Sequence, residues 1–94
     1  MYTVKQNRCF DTAFTLKYKG SQTDTVEAGN FAYFTFYDDG ITASDACAVS
    51  VVRAGSSTID DITTAHVITD GAVQVRVNNA GASDAEITVN VAVL

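Results

Sequence analysis

The sequence predicts an all-β domain built as an antiparallel two-sheet sandwich, and three observations carry this prediction. Valine and threonine each occur twelve times but leucine only twice, and β-branched side chains pack well on a pleated surface. Apolar and polar residues alternate along several segments, and Gly, Asp and Asn cluster between these segments. No helical period is long enough to predict a helix. We therefore expect six or seven strands, wound as a jelly roll or alternatively in an immunoglobulin-like order.

The 94 residues, 10.0 kDa in mass, leave room for one hydrophobic core, so residues 1–94 are expected to form a single domain. Hydrophobic residues make up 47% of the chain and charged residues 18%, which excludes an intrinsically disordered protein. A core this small gives limited stability, and association with partners would increase it.

The N-terminal half is expected to contain two strands. Residues 10–19 alternate apolar and polar side chains, which is typical of a half-buried strand, and residues 20–24 have the composition of a turn. Residues 31–37 form the second expected strand, whose two faces are both aromatic. Such a strand needs cover on each side, from a second sheet or from another chain.

The two faces of that second strand have different expected roles. Phe34 and Phe36 are assigned to the core. Phe31, Tyr33 and Tyr37 lie on the opposite face and are the candidates for an interaction surface, because a ring with a polar tip is favoured at subunit interfaces.

The C-terminal half is expected to contain the remaining strands. Residues 46–54 form one, and a bend at Asp60-Asp61 precedes another that carries His66. Asp70-Gly71 predicts a hairpin turn, for which we expect the type I′ conformation with positive φ at both residues. The last two strands alternate regularly. Their inward side chains are expected to be Val73, Val75 and Val77, then Ile87, Val89, Val91 and Val93.

Charge is unevenly distributed along the chain. Residues 1–19 have a net charge of +3 and residues 20–94 a net charge of −8, which together give −5. The overall charge and a pI of about 4.4 argue against nucleic-acid binding. Residues 1–9 form a short basic arm with Lys5 and Arg8, read either as a solvated end or as an arm that docks on an acidic neighbour.

The cysteines and aspartates do not predict a cofactor or a metal. We expect Cys9 and Cys47 to be reduced, with a single disulfide bridge between them as the alternative. Loops of a sandwich could bring Asp38-Asp39 and Asp60-Asp61 together around calcium. Aspartate is common in turns for conformational reasons, however, and solvated turn residues are the simpler interpretation.

Catalytic groups are few. His66 is the single histidine and lies in a predicted strand, and no serine stands in a Gly-x-Ser-x-Gly motif. We therefore expect a protein that is not an enzyme. The sequence shows no apolar stretch long enough for a membrane span and no signal peptide at its N-terminus, so folding in the cytoplasm and no membrane partner are expected.

Residues 64–81 resemble the C-terminal hairpin of small tailed-bacteriophage virion proteins. The shared pattern is a strand, the Asp70-Gly71 turn, an alternating Val-x-Val-Arg strand ending at Arg76-Val77, an asparagine and a glycine-containing loop before the last strand. The resemblance covers roughly the last third of the chain. Such proteins are typically jelly-roll or immunoglobulin-like sandwiches that assemble as trimers and decorate heads or form tail parts.

The resemblance implies a structural virion protein, most simply a capsid decoration (cement) protein that trimerises and clamps subunits of the major capsid protein. Assembly in the host cytoplasm would then precede a final location in the virion. The alternative is a phage tail or fibre part, or a carbohydrate-binding sandwich module that uses Tyr33, Tyr37 and the Asp-rich loops.

Overall fold

The computed structural model describes residues 16–55 and 59–94, and all of its regular secondary structure is β-strand. No helix that could span a membrane occurs within these two ranges. The strands, in chain order, are β1 (Tyr18–Val26), β2 (Phe31–Tyr37), β3 (Cys47–Arg53), β4 (Ile62–Thr69), β5 (Ala72–Asn79) and β6 (Ala85–Val93).

The strands form two antiparallel three-stranded sheets that pack together. We name them sheet A, with the order β1-β6-β3, and sheet B, with the order β2-β5-β4. Only the β4–β5 connection stays within one sheet, as a hairpin. The first strand pairs with the sixth and the second with the fifth, as in a long hairpin that has been rolled up. This winding is jelly-roll-like, which confirms the predicted sandwich and favours the first of the two expected strand orders.

The core lies between the central strands β5 and β6. Side chains alternate along both strands, so that one face is fully buried and the other is turned outward. Phe34 and Phe36 of β2 are each 2% exposed and close the core on one side, and Ile41 from the β2–β3 loop adds a further buried side chain. The predicted inward residues of the last two strands are all buried: Val73, Val75, Val77, Ile87, Val89, Val91 and Val93.

Strand β1 differs from its prediction. The turn expected over residues 20–24 is wrong, because β1 continues to Val26 in register with β6. Backbone pairing with a central strand outweighs the turn-like composition, and the hydroxyls of Thr23 and Thr88 add a cross-strand hydrogen bond of 2.8 Å. The rest of the strand predicted over residues 10–19, before Leu16, lies outside the described residues.

Gly20 allows an aromatic side chain to fold across the inner face of β1. The rings of Tyr18 and Phe36 meet edge to face, with centroids 6.5 Å apart at an angle of 63°. A Cβ atom at Gly20 would come within 2.9 Å of Cδ2 of Phe36 and would also meet the Tyr18 ring. A glycine is therefore required here by close packing.

The Asp70-Gly71 turn joins β4 and β5, as predicted, with Thr69 opposite Ala72. Its type differs from the expectation: Gly71 has φ +85°, but no described residue other than glycine has positive φ, and a type I′ turn would need it at Asp70. The turn is held against the β2–β3 loop. Oδ1 of Asp70 accepts a hydrogen bond of 2.9 Å from the Ala43 amide.

The two sheets are joined along one side and open along the other. On the joined side, Nε2 of Gln22 in β1 donates to the Thr35 carbonyl of β2 at 2.6 Å. On the open side, Thr64 and His66 of β4 pair with buried valines of β5 but are themselves exposed. An ion pair between Arg53 and Asp61, 3.8 Å long, connects the two sheets there. The inner face of β3 is half-buried in consequence.

Candidate interaction faces

The three aromatic residues predicted for interaction share the outer face of sheet B. Phe31, Tyr33 and Tyr37 alternate along β2 and are 50%, 54% and 76% exposed. Their neighbours Phe34 and Phe36 point into the core, as the sequence predicted. Large apolar side chains that remain exposed in a row indicate a contact surface.

Strands β4 and β5 extend this surface with residues that the sequence analysis did not single out. Val67 on β4 is 61% exposed. Arg76 on β5 lies opposite Tyr33, and its guanidinium carbon is 4.0 Å from the centroid of the Phe31 ring. The alternation of β5 placed Arg76 outward, but only the pairing of β2 with β5 brings it onto the aromatic residues.

We call this surface the aromatic face. It comprises the outward side chains of sheet B, which are Phe31, Tyr33, Thr35, Tyr37, Thr63, Ala65, Val67, Thr69, Ala72, Gln74, Arg76 and Asn78. Arg76 is its single charged residue, and Nε of Arg76 donates to Oδ1 of Asn78 at 3.1 Å. Within the part of the chain that the structure describes, Arg76 forms no ion pair.

The outer face of sheet A has the opposite shape. Its outward side chains are mostly small, and they leave an open trough of about 420 Å³ near the start of β1 and the end of β6. We call this surface the small-residue face. The trough is lined by Lys19, Gly20, Ser21, Ala48, Val49, Ser50, Asn90, Val91 and Ala92.

Two charged residues of opposite sign mark the ends of the small-residue face. Lys19 lies opposite Ala92 at the trough end, and Glu86 lies opposite Thr25 at the other end. Both side chains are exposed, and neither forms an ion pair within residues 16–55 and 59–94. This face therefore has a direction, with a cation at one end and an anion at the other.

The basic arm cannot be placed on either face, since Lys5 and Arg8 lie outside the described residues. The first described cation, Lys17, binds Asp45 in the loop before β3, with Nζ 2.8 Å from Oδ1. This hydrogen bond, together with one from the Thr42 amide, holds the pKa of the Asp45 carboxyl below its ordinary value of 3.8.

The structure does not bring the two aspartate pairs together around a shared calcium site, the arrangement that the sequence left as the less favoured possibility. The Asp38 amide donates to the Gly71 carbonyl, whereas the Asp61 carbonyl accepts from the Ala80 amide. These contacts place the two aspartate pairs at opposite ends of β5, roughly 20 Å apart by strand geometry. No group of three or more metal-ligating side chains occurs among the described residues.

The remaining reactive side chains are separate from these two surfaces. His66 is exposed on β4, on the side that faces the open edge of the sandwich. Cys47 is half-buried at the start of β3, where burial raises the pKa of its thiol. Cys9 lies outside the described residues, so a bridge between the two cysteines stays untested.

Comparisons with known proteins add no family to this picture. No family model, no curated protein and no solved structure matches the chain. The two outer faces of the sandwich are therefore the candidate functional surfaces of this protein.

Proposed function

We propose that this protein is a structural component of a virion, a capsid decoration (cement) protein that self-associates, as a trimer, and binds the major capsid protein. The observation that carries the proposal is the aromatic face. A row of three aromatic side chains at least half exposed, extended by Val67, forms a contiguous apolar patch, and such patches mark protein interaction sites.

The shape of this surface favours a protein partner. Phe31, Tyr33 and Tyr37 stand on a three-stranded sheet and not in a cleft, and flat surfaces with aromatic and arginine side chains are typical of protein interfaces. The jelly-roll-like winding and the resemblance of residues 64–81 to virion proteins support a role in a viral particle. In this role the protein binds the capsid and stabilises it, and it catalyses no reaction.

The test uses the full-length chain and empty capsid shells assembled from the major capsid protein of the same genome. We expect the chain to sediment with the shells and to raise the temperature at which they fall apart. Light scattering should give a trimer mass in solution. A chain that is monomeric at micromolar concentration and does not sediment with the shells would remove the proposal.

The alternative function, a tail or fibre module that binds carbohydrate, relies on the same tyrosines. Tyr33 and Tyr37 are exposed enough to stack on sugar rings. A glycan array distinguishes the two functions, since a decoration protein should give no signal. Specific glycan binding that is lost in Tyr33→Ala, without any binding to shells, would favour the alternative.

A further inference from the structure

We propose that copies of this protein associate head to tail, with the aromatic face of one copy on the small-residue face of the next. This inference rests on the proposed self-association and specifies its geometry. Three features of the two faces support it: the pairing of Arg76 with Glu86, the fit of Tyr37 to the trough, and the pairing of Asp39 with Lys19.

The charge of Arg76 argues against a contact between two aromatic faces. The aromatic face carries no carboxylate, so a symmetric contact would bring two Arg76 side chains together without a counter-charge. Burying unpaired charges of the same sign is strongly unfavourable. The small-residue face supplies the missing partner, because Glu86 lies on its central strand β6 just as Arg76 lies on the central strand β5.

When one copy is placed on the next in the same orientation, Arg76 of the first copy and Glu86 of the second lie at similar positions along their strands. Within the sandwich, Nδ2 of Asn79 donates to the carbonyl of Val26, which pairs with Ala85. The Asn79 end of sheet B, three residues beyond Arg76, therefore lies above the Ala85 end of sheet A, one residue before Glu86. A second copy shifted along the sheet normal keeps this relation and brings its Glu86 to Arg76 of the first.

The same placement puts large side chains over the trough. Tyr18 at the trough end of sheet A contacts Phe36, so the Tyr37 end of sheet B lies at that end of the sandwich. In the shifted copy, Tyr37, which is 76% exposed, would therefore meet the trough between Lys19, Ser50 and Ala92. A protruding ring and an open trough of about 420 Å³ are complementary in shape.

The second pair of charges lies at the trough end of the sandwich, where Lys19 lines the trough. Asp39 is exposed in the turn that follows β2, six residues after Tyr33, which lies opposite Arg76. On sheet A, Ala92, the partner of Lys19, is six residues after Glu86. Four strand residues, about 13 Å, lead from Tyr33 to Tyr37, and Asp39 follows in the turn beyond β2. When Glu86 reaches Arg76, Asp39 is therefore displaced toward the end of the sandwich where Lys19 lies.

The area of one such contact is small. Three strands about 4.8 Å apart and seven residues long cover on the order of 330 Å² per partner, or about 700 Å² per contact. Stable interfaces usually bury about 1,200 Å² or more in total. A copy that uses both faces doubles its buried area, which favours assemblies larger than a dimer. A shift along the sheet normal without rotation builds an open stack, so a closed trimer requires that neighbouring copies are also rotated against each other at this contact.

Charge reversal tests the pairing. We expect Arg76→Glu and Glu86→Arg each to weaken self-association roughly tenfold or more, as measured by analytical ultracentrifugation. In an equimolar mixture, every contact between unlike variants pairs opposite charges, so native mass spectrometry should show restored assemblies in which the two variants alternate. The double variant R76E/E86R should recover the wild-type assembly. Glu27→Arg is the matched control, since Glu27 is exposed in the β1–β2 turn on neither face, and it should leave association unchanged.

Other outcomes would overturn the inference. If Arg76→Glu dissociated the assembly and Glu86→Arg did not, two aromatic faces would be in contact. A mixture that stayed monomeric would also exclude the head-to-tail arrangement. A monomeric wild type would contradict both this inference and the proposed trimer, while sedimentation with capsid shells would still measure the decoration function separately. Circular dichroism confirms that each variant is folded.

Discussion

Asn79 at the end of β5 is the buried polar residue of the described chain, with 1% of its surface exposed. Its Nδ2 donates to the Val26 carbonyl at 3.0 Å and to the Ser83 carbonyl at 2.9 Å, and its Oδ1 accepts from the Gly81 amide at 2.9 Å. One side chain thus joins the end of β1 to the β5–β6 loop. Its three hydrogen bonds go to backbone groups at the end of β1 and in the β5–β6 loop, so the buried amide is fully paired.

We expect Asn79→Ala to lower the free energy of unfolding by about 2 kcal/mol or more, because buried backbone groups lose their partners. Asn79→Asp keeps the shape but cannot donate when ionised, so it should be at least as destabilised at neutral pH. It should recover in part at acid pH, where the neutral carboxyl donates once. Urea denaturation at the two pH values measures this. An Asn79→Asp variant as stable as the wild type at pH 7 would show that the donated hydrogen bonds contribute little.

Asp45 contributes to the free energy of unfolding by an amount that depends on pH. Its hydrogen bond from Lys17 lowers the pKa of the carboxyl in the folded state below the ordinary value of 3.8 that applies to the unfolded chain. The charged form is therefore favoured by folding. Its contribution is present above that value and is lost as the pH falls through the lower, folded pKa.

Asp45→Asn should be less stable than the wild type at neutral pH, and the difference should decrease as the pH falls below 3.8 and disappear below the lower pKa of the folded state. Thermal unfolding of both proteins over a series of pH values checks the sign. High salt should reduce the neutral-pH difference, since the pair is near the surface. A difference that grew on acidification would contradict the assignment.

At the scale of elements, the β4–β5 hairpin depends on one backbone conformation. Gly71 has φ +85°, which side-chain-bearing residues rarely adopt, and its amide donates to the Ile41 carbonyl at 2.8 Å. We expect Gly71→Ala to cost about 1–2 kcal/mol of stability. Gly71→Asn should cost less, because asparagine tolerates positive φ better. Equal losses in the two variants, measured by chemical denaturation, would point away from φ as the cause.

The same hairpin shows which structural features adjacent residues can predict and which they cannot. The tight turn at Asp70-Gly71 and the alternation of β5 were predicted, because each depends on a few adjacent residues. The docking of Asp70 on the Ala43 amide was not, since the two residues are far apart in sequence. Strand β1 gives the converse case: its polar, glycine-containing sequence is typical of a turn, and only pairing with β6 makes it a strand.

At the scale of the whole molecule, self-association should make stability depend on protein concentration. Assembly favours the folded state by mass action, so the unfolding temperature of the wild type should rise over a roughly hundredfold increase in concentration. Arg76→Glu should show a much weaker rise. Differential scanning calorimetry measures both. A wild-type unfolding temperature independent of concentration would mean that association is too weak to matter in this range.

The candidate interaction faces were predictable in part. The period of two along β2 put Phe31, Tyr33 and Tyr37 on one side from the sequence alone. The cation of that face, Arg76, joins it because β2 and β5 are neighbours in sheet B, and no local pattern identifies that pairing. The calcium arrangement failed for the same reason, since the loops that carry Asp38 and Asp61 lie at opposite ends of β5.

Composition and alternation along the chain were enough to predict the fold class and the inward faces of β5 and β6, because burial converts these local properties directly into structure. Tertiary structure alone decided that β1 pairs with β6 and β2 with β5, since register and strand order depend on contacts between distant residues. That pairing created one aromatic and one small-residue face on opposite sides of the sandwich, with Arg76 on the first and Glu86 on the second.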